Sequence, residues 1–191
     1  MDAGELPKLI YSMSVSLDGF IAGPHGEIDW GAPDEELHRF HNERVRQLGV
    51  QLLGRRLYEE MLYWETAADD PAAGEVALEF AQIWRELPRI VFSRTLETVE
   101  GNARLAAGDI SEEVARLKQE AGKDLAVGGA ALAARAIERG LVDEFQIFVN
   151  PVVLGGGTPF FPPLEERLDL ELLETRTFSS RVVYLRYRPA P

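Results

Sequence analysis

The chain has 191 residues, of which 46% are hydrophobic and 27% are charged, and it contains no cysteine. This length fits one well-buried domain, so we expect a single domain over residues 1–191, and the lack of cysteine excludes disulfides, thiolate nucleophiles and zinc–cysteine sites. The 32 acidic and 20 basic residues give a net charge of −12, which argues against nucleic acid as a partner because two polyanions repel each other.

The chain begins with a short acidic segment, a strand pattern and an apolar loop. Residues 1–8 lack the basic and then apolar pattern of a secretory signal, and no apolar run reaches the roughly 20 residues of a membrane helix. We therefore expect a cytoplasmic protein that does not enter a membrane. Residues 8–16 read as a strand that ends at Leu17-Asp18-Gly19. The loop at residues 20–33 keeps four large apolar side chains, which indicates that it packs over another group.

Strand and helix patterns alternate through the next part of the chain. Asp34 is predicted to start a helix that ends near Leu48, and Asp109 and Glu112 have the spacing of a capping box for a later helix. Alternation of this kind favours a mainly parallel sheet. Strands are predicted at residues 50–53, 89–93 and 124–127, and the later helices follow Gly54, run up to Leu87, span about 111–121 and end before Gly140.

The last part of the chain changes to strands with little helix between them. Residues 145–154, 170–178 and 181–187 carry strand patterns, which predict that the sheet ends in an antiparallel hairpin. The sequence therefore predicts an α/β fold: a mixed sheet of about eight strands flanked by helices, with a C-terminal antiparallel hairpin.

A glycine pair stands between a short apolar strand and an alanine-rich helix. Gly128 and Gly129 allow the backbone to come close to a ligand, and the helix start that follows presents N–H groups and a partial positive charge. One interpretation is a phosphate-binding turn. The other is that the glycines only permit tight packing of the strand against the helix.

Three predicted strand ends carry similar chemistry. They are followed by Gly54-Arg55-Arg56, by Ser93-Arg94 and by Gly128-Gly129. Because the carboxyl ends of parallel strands lie along one edge of a sheet, the three turns can share one cleft in which arginines bind phosphates. The alternative is that arginines after strands are only solvated.

Other familiar sites do not fit the sequence. Residues 49–56 have the spacing of a Walker loop but lack its lysine and hydroxyl residue, and neither GxGxxG nor GxSxG follows a strand. His38 and His41 lie three residues apart on a helix, but no third metal ligand accompanies them. We therefore predict no metal site and expect both histidines on a solvated helix face.

The order of several motifs resembles the dihydrofolate reductase superfamily. The motifs are SMSVSLDGFIAG, LLGRRLYEE, IVFSRTL and VGGAALAARAIERGLVDEFQIFVNPVVLGGGTPFF, together with Trp30. The resemblance spans nearly the whole chain and is closer to the reductase domain of riboflavin biosynthesis and its small stand-alone relatives. It implies NADPH lying across the strand ends, hydride transfer to a small pterin-like, pyrimidine-like or carbonyl compound, and a homodimer. The alternative is a nucleotide-binding module that has lost turnover.

The same resemblance implies a set of cofactor contacts. Gly54, Arg55 and Arg56 would face the adenosine phosphate, with help from Ser93 and Arg94. The nicotinamide would border Ser14, Ile21 and Ala22, and the diphosphate would be held by Gly128, Gly129, Ala130, Ala131 and Leu132.

The resemblance implies the substrate contacts less completely than the cofactor contacts. Asp18 is the expected proton donor or relay, although an aspartate before Gly19 also shapes turns. Trp30 would wall the pocket or belong to the core. Asp34 or Glu36 would take the place of the pterin-binding carboxylate, and Gly156, in a run of three glycines, would approach the substrate or a second subunit. Val127 stands where riboflavin-pathway reductases are expected to carry a glutamate, so the substrate of that pathway is not implied.

Overall fold

The computed structural model describes residues 6–120 and 122–191. The described chain forms one sheet of eight strands and a separate sheet of two short strands. The ten strands are β1 Leu9–Val15, β2 Phe20–Ala22, β3 Leu48–Gly54, β4 Arg89–Phe92, β5 Ala103–Leu105, β6 Asp124–Gly128, β7 Glu144–Val149, β8 Thr158–Pro159, β9 Leu170–Thr177 and β10 Val183–Pro189.

Helices connect the strands, and two of them begin where their caps predict. The Asp34 carboxylate accepts the N–H of Leu37 at 2.9 Å, which confirms it as the cap of the first helix. Asp109 and Glu112 each accept the other's N–H at 3.0 Å, which confirms the capping box. The predicted last residue of that later helix, Ala121, lies outside the described residues. The α-helices are α1 Glu35–Arg46, α2 Arg55–Met61, α3 Tyr63–Thr66, α4 Glu75–Glu86, α5 Ile110–Glu120 and α6 Ala130–Glu138, with 3-10 turns at Asp29–Gly31 and Ala67–Asp69.

The main sheet has the order β5-β4-β3-β6-β1-β7-β10-β9. All neighbours from β5 to β7 are parallel, whereas β10 runs antiparallel to both β7 and β9. The predicted mixed sheet with a C-terminal antiparallel hairpin is therefore confirmed. The first strand of the chain, β1, lies inside the sheet between β6 and β7.

Both faces of the sheet bury apolar side chains, because successive residues of a strand point to opposite faces. On one face, Tyr11 and Leu132 belong to a core that joins the sheet to α5 and α6. On the other face, Phe40 of α1 packs with Tyr184 of β10, and Trp84 of α4 belongs to a core with side chains of β3 and β4. In the described residues, no helix is long and apolar enough to cross a bilayer.

Some element boundaries differ from the prediction. Helix α1 ends at Arg46 because Leu48 already begins β3. Strand β7 ends at Val149 because the side-chain amide of Asn150 turns back and donates to the carbonyls of Val15 and Phe148, at 3.2 and 3.0 Å. Strands β2, β5 and β8 were not predicted, since runs of two or three residues are too short to show a period.

Candidate cofactor and substrate site

The three predicted turns lie side by side at one edge of the sheet. Strand β3 is the common neighbour, because Gly54 pairs with Phe92 of β4 and Leu53 pairs with Gly128 of β6. All three strands run parallel, so their carboxyl ends point the same way. The structure therefore brings the glycine and arginine turns together.

Glycine is required for a different structural reason at each of the two positions in the turn after β6. Gly129 has a φ of 92°, a left-handed conformation that disfavours other residues, and a Cβ there would lie 3.5 Å from the backbone N of Gly54. Gly128 is buried, and a Cβ on it would come within 2.6 Å of the Leu57 side chain. Packing against Leu57 thus explains Gly128, whereas Gly129 sets the turn that leads into α6.

The start of helix α6 is open to a ligand. No side chain of the residues that the structure describes caps it. The N–H of Leu132 already donates to the carbonyl of Gly129 at 3.1 Å, and the Leu132 side chain is buried in the core. Ala130 and Ala131 are the first two residues of the helix, and their N–H groups have no partner within it. The diphosphate contact predicted for Leu132 stays a prediction that this geometry does not favour, and Ala130 and Ala131 are the better-placed donors.

The arginines at this edge differ in whether their side chains already have hydrogen-bond partners. Arg55 donates to Glu59 at 2.8 Å and to Thr95 at 2.5 Å. Arg56 and Arg94 are exposed, and within the described chain their side chains make no hydrogen bond or ion pair. These two guanidinium groups are therefore available to an anion, while Arg55 is held by its neighbours.

Ser93 and Thr95 order the β4 turn. The Ser93 hydroxyl accepts the N–H groups of Thr95 and Leu96, at 3.1 and 3.0 Å, so it fixes the loop after β4. The partnership between Thr95 and Arg55 was not predicted. The Ser-x-Thr spacing was the only sequence signal for it, and the partner lies 40 residues away.

The carboxyl end of β1 forms the next part of the edge. Ser14 is half-buried there, and a Cβ on Gly31 would lie 3.8 Å from the Cβ of Ser14. The 3-10 turn containing Trp30 therefore sits beside Ser14, and the indole N–H donates to the carbonyl of Glu27 at 3.0 Å. The structure thus places Ser14 and the Trp30 turn together, one strand from the glycine turn of β6.

The second, two-stranded sheet joins the apolar loop to the glycine run. Ile21 packs against the core, and Ala22 pairs with Thr158. A Cβ on Gly157 would collide with the backbone of Ala22, and one on Gly156 would lie 3.8 Å from the Pro24 ring. The glycine run therefore lies against the loop at residues 22–24.

Asp18 links the loop after β1 to the segment that leads into the glycine run by hydrogen bonds. Its carboxylate accepts the N–H groups of Leu154 and Gly155, at 3.1 and 2.7 Å. A hydrogen bond with the Ser16 side chain, and then these backbone bonds, lower the pKa of the exposed Asp18 carboxyl. The contacts match the turn-shaping interpretation of Asp18, and an ionised carboxylate is a poor proton donor at neutral pH, so its catalytic role stays a prediction.

The two carboxylates at the start of α1 are also engaged. Glu36 accepts from the Arg176 guanidinium at 3.0 Å and from the Ser179 N–H and hydroxyl at 3.0 and 2.7 Å. Hydrogen bonds from Ser179, with help from Arg176, lower the pKa of Glu36 to about 2. Asp34, besides capping α1, lies 3.3 Å from the Ser179 hydroxyl. Both acids tie α1 to the β9–β10 turn, and their contact with substrate stays a prediction.

The histidines of α1 are packed rather than solvated, so that prediction is wrong. The His38 ring lies 6.1 Å from the ring of Trp64 and 5.9 Å from that of Phe80, and the His41 ring lies 4.2 Å from Phe148. Burial, with smaller effects of nearby charge, lowers the pKa of His41 to about 4. No group of three metal-ligating side chains occurs among the residues that the structure describes.

Comparison with known proteins places the chain in a family. The family model of the RibD C-terminal domain matches residues 7–184. The chain belongs to the RibD C-terminal domain family. The uncharacterized protein YyaP of Bacillus subtilis strain 168 is 36% identical over 181 residues, which are 94% of this chain and 94% of that protein. Uncharacterized YwjB of the same strain is 29% identical over 92% of this chain and 94% of its own length.

Solved structures share the RibD C-terminal fold. A "putative riboflavin biosynthesis protein" from Shewanella sp. PV-4 has a TM-score of 0.75 and 22% identity, covering 96% of this chain and 99% of that one. A deaminase/5-amino-6-(5-phosphoribosylamino)uracil reductase from Thermotoga maritima has a TM-score of 0.68 and 17% identity, covering 97% of this chain and 57% of that one. The expected resemblance to the riboflavin-biosynthesis reductase domain and its dihydrofolate-reductase-like fold is thereby confirmed.

In this RibD C-terminal domain, the site elements follow one another along the sheet. The arginine turns end β4 and β3, the glycine turn ends β6, and Ser14 lies near the end of β1, and these four strands are consecutive neighbours. With about 4.8 Å between neighbouring strands, the four ends span about 14 Å. An elongated ligand with phosphates at one end and in its middle matches this order.

Proposed function

We propose that the protein is an NADPH-dependent reductase that transfers hydride to a small heterocyclic or carbonyl compound. The observation that carries this proposal is the order of groups along the sheet edge. Within the described residues, β3 and β4 are followed by arginines without side-chain partners and β6 by a helix start without a side-chain cap, and half-buried Ser14 lies near the end of β1. A dinucleotide with an extra phosphate on its adenosine presents its own groups in that order.

The arginines would select the cofactor. Arg56 and Arg94 are free to bind the extra phosphate as charge-assisted donors, and Arg55 supports them while it holds Thr95 in place. These cations act at short range, where they outweigh the mean field of a chain with a net charge of −12.

The glycine turn would bind the diphosphate. The N–H groups of Ala130 and Ala131 point out of the start of α6, a helix of nine residues, where the helix dipole favours negative charge. The φ of 92° at Gly129 creates this turn, and only glycine adopts it without strain.

The nicotinamide would lie at the end of β1, beside Ser14, Ile21 and Ala22. When bound, the cofactor supplies the hydride, and the protein contributes position and water exclusion. Trp30, in the turn over Ser14, would form one wall of the substrate pocket.

Reduction of a C=O or C=N bond also consumes a proton. Asp18 and Glu36 are held ionised by their hydrogen bonds, and Asp34 is used as a helix cap. We therefore assign the proton to water at the pocket mouth, with Asp18 holding the loop that shapes the mouth.

A pyrimidine-like compound is the first substrate class to test. The Thermotoga maritima relative is a reductase of an aminouracil, and a Corynebacterium diphtheriae relative with a TM-score of 0.66 is described as pyrimidine reductase-like. Val127 is a buried core residue, so it does not supply the ribityl-binding carboxylate expected in riboflavin synthesis. Pyrimidines and pterins without that chain belong in the panel.

A titration with NADPH, followed by nicotinamide fluorescence, tests the cofactor site directly. Saturable binding in the micromolar range supports the proposal, and no binding at millimolar NADPH refutes it. Binding without oxidation by any member of the panel would instead favour a nucleotide-binding module. The engagement of Asp18, Asp34 and Glu36 in structural bonds is the observation that keeps this second function open.

A further inference from the structure

The face of the sheet beneath helix α1 carries polar side chains near the amino ends of its inner strands. Glu144 and Gln146 of β7 lie on this face, and the register places Ile10 and Ser12 of β1 beside them. Glu144 and Gln146 are buried, with exposed fractions of 4% and 5%. Inner strands of a parallel sheet are normally apolar, so polar groups at this place need partners.

A cavity of about 150 Å³ lies between these strands and α1. Ile10, Ser12 and Ala126 line it from the sheet, and His41 and Arg44 line it from the helix. The short side chains of serine and alanine leave the space open beneath the helix. A cavity of this size accommodates a ligand of about six to eight non-hydrogen atoms.

The cavity is distinct from the candidate cofactor and substrate site. The cofactor turns follow the carboxyl ends of the strands, whereas the cavity is lined by residues at their amino ends, such as Asp124 and Glu144, the first residues of β6 and β7. On β1, Ser14 lies beside Phe148, and the Phe148 ring packs 4.2 Å from the His41 ring. These two rings line the end of the cavity that is nearer to Ser14.

Glu144 is a buried carboxylate with few partners. One of its oxygens accepts the side-chain amide of Gln146 at 2.8 Å, and its contact with the Arg186 guanidinium, at 3.9 Å, is too long for a hydrogen bond. Its second oxygen accepts no hydrogen bond within the described chain. A buried carboxylate is costly unless it is paired, so a cationic donor in the cavity would stabilise it.

Arg44 is the corresponding cation. Its guanidinium donates to the Gln146 side-chain oxygen at 3.1 Å and to the Tyr184 hydroxyl, which are both uncharged, and it lies 4.0 Å from the Glu174 carboxylate. Its Nη1 donates no hydrogen bond within the described chain. Gln146 thus separates the guanidinium from the Glu144 carboxylate, and each of the two charges keeps unused hydrogen-bonding capacity.

The charges around the cavity balance each other. Three basic and three acidic side chains line it or lie next to it: Lys8, Arg44 and Arg186, and Asp124, Glu144 and Glu174. A simple anion or cation is therefore attracted by one group and repelled by another. A ligand that carries both charges, with its anion at Arg44 and its cation at Glu144, gains from both contacts.

We propose that this cavity binds a free α-amino acid with a small, uncharged side chain. Its ammonium group would donate to Glu144 and its carboxylate would accept from Arg44, with the Ser12 hydroxyl as a further donor. One carbon atom separates the two charged groups of an α-amino acid, much as one carbon joins the amide oxygen and nitrogen of Gln146. The ligand can therefore lie beside Gln146 and bridge the same two charges, with its side chain on Ile10 and Ala126.

Isothermal titration calorimetry with L-alanine tests the proposal on the unmodified chain. Saturable binding is expected with a dissociation constant between about 10 μM and 1 mM, a range that suits so small a ligand. Propionate lacks the ammonium group and ethylamine lacks the carboxylate, so each should bind at least about 10-fold more weakly. L-Phenylalanine is too large for the cavity and should not bind.

Substitutions locate the site. Glu144→Gln and Arg44→Gln each remove one charge and should weaken L-alanine binding at least about 10-fold. Ala126→Val fills the cavity without removing a polar group, and valine suits a strand, so this variant should not bind L-alanine. The matched control is Arg39→Gln, because Arg39 is an exposed arginine of the same helix that pairs with Glu35. The control should bind L-alanine normally.

Thermal unfolding separates loss of the site from loss of the fold. L-Alanine should raise the Tm of the unmodified chain and of the control, but not that of a folded Ala126→Val variant. The comparison of ligands needs only the unmodified chain, so it decides the question even where a variant does not fold, and it is independent of NADPH. No binding at about 10 mM L-alanine, equally tight binding of propionate, or unchanged binding by Ala126→Val would overturn the proposal.

Discussion

Removal of the two unpartnered arginines should weaken NADPH binding much more than NADH binding. Arg56→Ala and Arg94→Ala break no bond within the described chain, so the fold should be unaffected. An exposed charge-assisted contact to phosphate is worth about tenfold in affinity, so the double variant should lose about 10- to 100-fold for NADPH. NADH lacks the extra phosphate and should bind almost as before.

Fluorescence titration with both cofactors measures this difference. Arg55→Ala should have a smaller effect than the double variant, because Arg55 already bonds Glu59 and Thr95. Arg135→Ala is the matched control, since Arg135 is an exposed arginine on α6, beyond the residues that start the helix. An equal loss for NADH and NADPH, or a larger loss for Arg55→Ala, would show that the phosphate lies elsewhere.

Three further predictions follow from single residues. Gly129→Ala forces a side chain into a φ of 92°, which costs about 1–2 kcal/mol and lowers Tm by several degrees, whereas Gly122→Ala, with open space around it, should leave Tm unchanged. Asp18→Asn should reduce turnover more than NADPH affinity without moving the pH profile of kcat, and the loss of a titrating limb would instead identify Asp18 as the proton donor. The folded-state pKa of Glu36 is lowered from 4.5 to about 2, so its contribution to stability is present at neutral pH and is lost as pH falls through this window. Thermal melts of Glu36→Gln should therefore show a smaller loss of Tm between about pH 4.5 and 2, and an unchanged acid dependence would contradict the assignment.

Local signals explain why much of the fold was predictable. A short apolar run followed by glycine located the ends of β3 and β6, and the spacing of Asp109 and Glu112 located the start of α5. These features depend on residues within one turn or one strand, so a single sequence contains them. The parallel order then brought Gly54 and Gly128 to one edge.

The hydrogen-bond partners of the acidic side chains could not be predicted in the same way. Asp18 bonds the N–H of Gly155, 137 residues away, and Glu36 bonds Ser179, 143 residues away. Nothing in the local pattern distinguishes a carboxylate that is free from one that holds a distant loop. His41 is a similar case, because its packing on Phe148 depends on where α1 crosses the sheet. The sequence therefore identified candidate contact residues, but only the tertiary structure showed which of their side chains are free to bind a ligand.

The inner position of β1 has a consequence for how the chain is made. Both neighbours of β1 come late: β6 begins at Asp124 and β7 begins at Glu144. During synthesis, β1 therefore leaves the ribosome well before β6 or β7 has been made. Both edges of β1 stay unpaired until most of the chain has been synthesised. Pairings this distant slow folding and expose apolar strands to aggregation. Shortened products that stop before β6 would therefore be the form of this protein most dependent on chaperones.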